Sequence, residues 1–255
     1  MPFYDALVVG GGMIGSAALR HLTLTKPHLR LGAVAPSEPQ DWAHHEGVFS
    51  SHYDEGRITR MLDPDDVWSR LAEESIGRYG SIEDFSGVSF FNESGFVAVG
   101  RDEEGSWLRQ VKDSSERRNV SRKILSGEEA RSRFYPIHFP DEATVLYQKE
   151  RAGHISPRKF VRASLKASEK RGADLIDEDA EAVSASASWD EEAGKGWENP
   201  SVDGEGVGAS ESDGRLWDVL LKNGTVVRAR RVLVSTGAFT NPRLLNGLRG
   251  GSLDV

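Results

Sequence analysis

Four apolar residues, Ala6-Leu7-Val8-Val9, run without a break into Gly10-Gly11-Gly12-Met13-Ile14-Gly15, and an apolar helical pattern follows at once. The apolar run predicts a buried strand, and Ala17, Ala18, Leu19 and Leu22 give residues 14–24 the apolar face of a helix. Three of the glycines between them have a task. Gly10 lets the chain turn sharply out of the strand, Gly12 lets a diphosphate approach the backbone, and Gly15 lets the helix pack closely on the strand. The unpaired N–H groups at the helix start, around Met13 and Ile14, and the positive end of its dipole face the same point. Strand, glycine turn and helix together predict a pocket for a dinucleotide pyrophosphate.

A second strand at residues 29–34, ending before Ala-Pro-Ser-Glu-Pro at 35–39, completes a β-α-β unit whose strands a right-handed crossover makes parallel. Further along, residues 41–60 form a polar excursion and residues 64–79 an amphipathic helix through Val67, Leu71 and Ile76. Short strands are expected at 88–91, 95–99 and 143–148, and helices at 106–118 and 127–134. Ser156-Pro157 opens a helix, with Ser156 as N-cap, that ends at Lys170-Arg171-Gly172. Residues 184–213 change character to small, glycine-rich and acidic, and are read as a disordered insertion in a hairpin. Two strands around Asn223-Gly224 follow, then an apolar strand at 232–234 that runs into Ser235-Thr236-Gly237. Residues 247–255 carry no pattern.

Composition excludes several classes. With 38% hydrophobic residues over 255, the chain can bury a sizeable core. A net charge of −8 argues against a nucleic-acid surface. No apolar run reaches the roughly 18 to 20 residues of a membrane span, and the first strand begins too near Met1 for a cleavable leader, so a cytoplasmic location is expected. The absence of cysteine excludes disulfides, thiolate metal sites and thiol-linked cofactors within the chain. His44-His45, adjacent on a polar loop, are read as solvated, and no metal site is expected.

The second chemical signal is Ser51-His52-Tyr53-Asp54-Glu55-Gly56-Arg57-Ile58-Thr59-Arg60. If the segment becomes helical, Arg57 and Arg60 share a face and form a cationic site for a carboxylate or an anionic ring. The other reading is a pair of surface arginines matched with Asp54, Glu55 and Asp63.

Four motifs in order, the glycine loop, Ser51 to Arg60, Gly153-His-Ile-Ser-Pro157 and Val232-Leu-Val-Ser-Thr-Gly-Ala-Phe239, resemble the FAD-dependent amine oxidases of the D-amino-acid oxidase superfamily, in particular the monomeric sarcosine oxidase branch. The resemblance implies an α/β fold: a Rossmann-like, glutathione-reductase-type FAD-binding domain from residues 1–80 and 150–246, and part of an α+β substrate domain at 81–149. It implies FAD held by Gly10, Gly12, Met13, Ile14 and Gly15, with Ser51, His52, Ser235, Thr236 and Gly237 as further cofactor contacts. Arg57 would lie against the flavin, Arg60 would clamp the substrate carboxylate, and His52 and Tyr53 would be polar residues near the ring. For His52, a satisfied structural role stands beside the catalytic one. The implied reaction is oxidation of the C–N bond of a sarcosine-like amino acid to an imine, with oxygen reoxidising the flavin. Related folds act on a hydroxy acid or glycerol phosphate, and a non-catalytic nucleotide-binding remnant is a third reading.

Two departures stand out. Dinucleotide folds place an acid at the end of strand two to bind the adenosine ribose, and here that position is Ala35, with Glu38 three residues on or backbone and water as substitutes. Members of the family also continue for well over a hundred residues past the Thr-Gly-Ala motif, so the expectation is a truncated chain lacking a closed active site.

Overall fold

The computed structural model describes residues 1–39, 41, 44, 49–189 and 215–240. The chain divides into two compact units, residues 1–52 with 164–255, and residues 53–163. The boundaries anticipated from sequence lay at 80/81 and 149/150. The observed ones follow from strand Arg57–Thr59, which pairs with Gly153–Ile155 inside the second unit.

The first unit is built on a parallel sheet in the order Asp174–Ile176, Leu31–Val34, Ala6–Val9, Val232–Val234. Its β-α-β unit is the expected one, with the helix at Met13–Thr25 and the second strand starting at Leu31. Strands Ala6–Val9 and Leu31–Val34 are buried at every residue, which is why they read as continuous apolar runs. Alternation still sorts their side chains. Ala6, Val8, Leu31 and Ala33 face Leu19, Leu22 and Leu165, whereas Leu7, Val9 and Val34 face Tyr4, Val183, Val219, Leu221 and Val227. Fully burying each valine or leucine contributes roughly 1.5–3 kcal/mol.

The layer that covers the second face is a sheet in the order Phe3–Tyr4, Val226–Ala229, Arg215–Leu221, Ala180–Trp189. The Asn223-Gly224 hairpin forms as expected, with Gly224 at φ +83° and the Asn223 side chain accepting from the Thr225 N–H at 2.9 Å. Across it Asp218 and Arg228 are in register and paired at 2.7 Å, which holds the Asp218 carboxyl below the usual range. The insertion expected to be disordered over 184–213 instead begins as strand, since Ala180–Trp189 pairs with Arg215–Leu221; its remainder, residues 190–213, and the tail at 247–255 lie outside the described residues.

The second unit contains two three-stranded sheets: Arg57–Thr59, Gly153–Ile155, Phe91–Asn92, and Phe96–Gly100, Thr144–Gln148, Lys123–Ser126. Its long helix, Asp66–Ser86, starts on an Asp65 side chain that accepts from the Val67 and Trp68 N–H groups. It runs seven residues beyond the expected end at 79, because Gly80 only weakens a helix whereas Gly87, at φ +70°, supplies the left-handed C-cap. Trp107–Arg117 and Gly127–Arg133 follow the expected boundaries, the latter with a reciprocal Ser126/Glu129 capping box. Tyr79, Phe90 and Phe160 form an edge-to-face cluster at 5.2–6.4 Å between ring centres.

Among the described residues no helix is long and apolar enough to cross a membrane.

Candidate functional site

The glycine loop caps the carboxyl end of the first parallel strand. Gly10 takes φ +104°, and its N–H donates to the Val34 carbonyl at 2.9 Å. A Cβ there would meet the Ser235 carbonyl oxygen at 2.8 Å. At Gly11 a Cβ would lie 2.5 Å from the Ala35 Cβ, and at Gly15 it would lie 1.9 Å from the Gly10 carbonyl oxygen. Packing within the chain therefore explains three of the four glycines. Gly12 is different. Its backbone is ordinary, φ −68° and ψ −169°, and a Cβ there would approach only His52 Nδ1, at 3.8 Å. Among the described residues, nothing in the protein requires a glycine at that position.

The helix that follows has no side-chain cap at its N-terminus and no acidic residue in its first turn. Its first intrahelical bond is from the Ser16 N–H to the Gly12 carbonyl, at 2.9 Å. Such an end attracts an anion, through N–H groups aimed outward and the positive end of the dipole. An open glycine beside an uncapped helix start fits a dinucleotide diphosphate.

The other predicted cofactor residues of this unit take varied places. Ser235 is held by its N–H on the Val9 carbonyl at 2.8 Å, and its hydroxyl donates to the Gly10 carbonyl at 2.8 Å, so its side chain shapes the glycine turn. Thr236 shares a hydroxyl contact with Thr240 at 2.8 Å, and Gly237, at φ +57°, opens a short 3-10 turn. His52 is buried and packs edge-to-face on Phe49 at 5.9 Å. Ser51 is exposed, and Glu38 is half-buried in the loop after Ala35. His44 pairs with Asp41 at 2.7 Å, and His45 lies outside the described residues.

The second unit holds the remaining predicted residues. Arg57–Thr59 is a strand, so the helical face that would have brought Arg57 and Arg60 together does not form. Strand pairing with Gly153–Ile155 overrides the local spacing. Arg57 instead forms a two-bond pair with Asp54, at 3.0 and 2.9 Å. Arg60 donates to Asp63 at 2.8 Å and stacks on the Phe96 ring at 5.1 Å. Glu55 accepts from Ser156 at 2.8 Å and from Arg158 at 3.0 Å, and Arg158 lies over the Tyr53 ring at 4.7 Å. Arg60 and Asp63 line a recess of about 210 Å³ with Ile58, Thr59, Trp68 and Ala72. Trp68 and Ile58 are both about two-thirds exposed at its rim.

Sequence reading missed the residue that holds the end of this recess in place. Gln148 is fully buried; its Oε1 accepts from the Met61 and Leu62 N–H groups at 3.1 and 3.2 Å, and its Nε2 donates to the Glu150 and Arg151 carbonyls at 3.1 and 2.9 Å. The available signal was a polar residue closing the apolar run of strand Thr144–Gln148. Tyr79, which shares a hydroxyl contact with Thr59 at 3.1 Å, also escaped notice, and burial pushes its hydroxyl pKa upward.

Comparison with known proteins agrees with this geometry. The family model described as FAD dependent oxidoreductase matches residues 5–255. A monomeric sarcosine oxidase from Streptomyces avermitilis is 31% identical over 175 residues, 68% of this chain and 43% of that protein. The peroxisomal sarcosine oxidase of Homo sapiens is 27% identical over 137 residues, 54% of this chain and 33% of its own length. Among solved structures, the open form of NikD, an amino acid oxidase of nikkomycin biosynthesis, superposes with a TM-score of 0.67 at 18% identity, covering 96% of this chain and 54% of that one. The chain thus spans about half the length, or less, of the relatives it matches.

Proposed function

Because the chain belongs to the family of FAD dependent oxidoreductases, we propose that it holds FAD through the glycine loop and serves the oxidation of the C–N bond of a sarcosine-like amino acid. The observation that carries the proposal is Gly12, an open position in an otherwise tightly packed loop, beside an uncapped helix start. Gly10, Gly12, Met13, Ile14 and Gly15 would receive the diphosphate, and Ser235 would keep the turn in shape. Bound FAD would supply the two-electron acceptor for a carbon next to an amine nitrogen, with oxygen restoring the oxidised ring.

What the chain's own residues contribute is recognition. Arg60 offers a planar fork of five donors, of which Asp63 engages Nη1. A substrate carboxylate on the remaining edge and an amine near Asp63 would match the charge pair that lines the recess. The proposed roles of Arg57, His52 and Tyr53 beside the flavin rest on the family resemblance.

The test is anaerobic titration of the FAD-loaded chain with sarcosine, pipecolate and D-amino acids, followed in the visible flavin spectrum. Carboxylated amines are expected to perturb or bleach it, and Arg60→Ala to weaken their apparent affinity at least about tenfold, the loss of one charged hydrogen-bonding group. Bleaching by a hydroxy acid or glycerol phosphate alone would contradict the amine assignment. So would an Arg60→Ala variant with unchanged affinity.

A further inference from the structure

The parallel sheet places an acid where the second strand lacks one. Asp174–Ile176 lies beside Leu31–Val34 in the same direction, with Ile176 opposite Val34, and the Ala35 N–H donates to the Ile176 carbonyl at 2.9 Å. Asp177 is therefore the residue that leaves the neighbouring strand at the level of Ala35, one strand spacing away, about 4.8 Å. In parallel α/β sheets ligands bind beyond the carboxyl ends of the strands, and the adenosine ribose is met by an acid at the end of the second.

Asp177 is also oriented. Its Oδ1 accepts from the Ser37 N–H at 2.6 Å and its Oδ2 from the Ser37 hydroxyl at 2.7 Å. Ser37 belongs to the loop that follows Ala35, so the two strand ends are tied together by this one carboxylate. Those two bonds, the backbone one foremost, hold the Asp177 carboxyl below the usual carboxylate range, so it is ionised at neutral pH. Each oxygen of an ionised carboxylate can accept more than one hydrogen bond, and Asp177 is exposed to receive them.

We infer that Asp177, braced by Ser37, replaces the missing strand-end acid of Ala35 as the acceptor for the vicinal hydroxyls of the adenosine ribose. The inference rests on FAD binding at the glycine loop and adds to it the ribose contact. It assigns to Asp177 what the Ala35 position cannot supply and places the contact on the third strand of the sheet. Glu38, between Pro36 and Pro39, is then a bystander.

The experiment is titration of the full chain, by flavin fluorescence, with FAD and with an FAD analogue whose adenosine lacks the 2′- and 3′-hydroxyls. The wild-type chain should bind the analogue at least about tenfold more weakly than FAD, the scale of hydrogen bonds to a charged group. Asp177→Asn should bind FAD about as weakly as the analogue and no longer distinguish the two, with its melting temperature unchanged. Glu38→Gln should discriminate like the wild type. FAD binding with full discrimination in Asp177→Asn overturns the ribose assignment alone, as does loss of discrimination in Glu38→Gln. Failure of the wild-type chain to bind FAD overturns the glycine-loop reading and the ribose contact with it.

Discussion

Replacing Gly15 with alanine is expected to destabilise the first unit by about 3 kcal/mol or more, the upper range for overpacking a well-packed site. The added Cβ would stand 1.9 Å from the Gly10 carbonyl oxygen and 2.4 Å from Ser235 Oγ. The carbonyl is backbone in a turn already committed to φ +104°, and the hydroxyl is committed to that same carbonyl at 2.8 Å. Relief therefore requires helix Met13–Thr25 to lift from strand Ala6–Val9, which opens the contact between Leu19 and the buried face of Ala6 and Val8. Urea denaturation of the two proteins, followed by far-UV circular dichroism, measures the difference. A midpoint unchanged in Gly15→Ala would show that the helix does not pack on the strand as described. The same substitution at Gly12 meets no clash and should cost only about 1 kcal/mol, the loss in exchanging a glycine N-cap for the poorer alanine.

Gln148→Leu should cost about 3–5 kcal/mol in the second unit. The leucine removes four hydrogen bonds at once and leaves the Met61 and Leu62 N–H groups and the Glu150 and Arg151 carbonyls without their partner. The two orphaned N–H groups are buried and cost about 1–3 kcal/mol each, whereas water reaches the part-buried carbonyls of the exposed Glu150 and Arg151 and keeps the total below the simple sum. A calorimetric melt should show the transition lowered by roughly 10 °C. Residues 61 and 62 directly follow Arg60, so the variant should also loosen the Arg60–Asp63 pair that lines the recess. A melt within two degrees of wild type would mean that the carboxamide is not the tie described here.

The parallel half of the fold was legible because its signals are local. The apolar run at 6–9, the four glycines and the helix at 13–25 are contiguous, and the Asn223-Gly224 turn names its own conformation. Missed strands such as Lys123–Ser126, Gly153–Ile155 and Asp174–Ile176 are three or four residues long and owe their existence to remote partners, and the longer Ala180–Trp189 was hidden by the small and acidic residues that led its second half to be read as a disordered insertion. The same tertiary pairing turned Arg57–Thr59 into a strand, and Arg57 and the following Arg60 pair with separate acidic neighbours, Asp54 and Asp63. Asp177 could not be connected with Ala35 from the sequence, since the Ser37 contact that links it to that strand end joins residues 140 apart in the chain.

Gly12 remains the residue on which the functional account turns. Its fold role is confined to the N-cap of helix Met13–Thr25, so a loss of affinity in a variant that stays folded belongs to the ligand. Fluorescence titration of the full chain with FAD, wild type against Gly12→Ala, measures this directly. The account predicts saturable binding of one FAD per wild-type chain, and affinity at least about tenfold weaker in an alanine variant whose melting temperature falls by only a few degrees, as expected where a diphosphate must approach the backbone closely. Equal affinity in the two proteins, or no binding by the wild type, would contradict it.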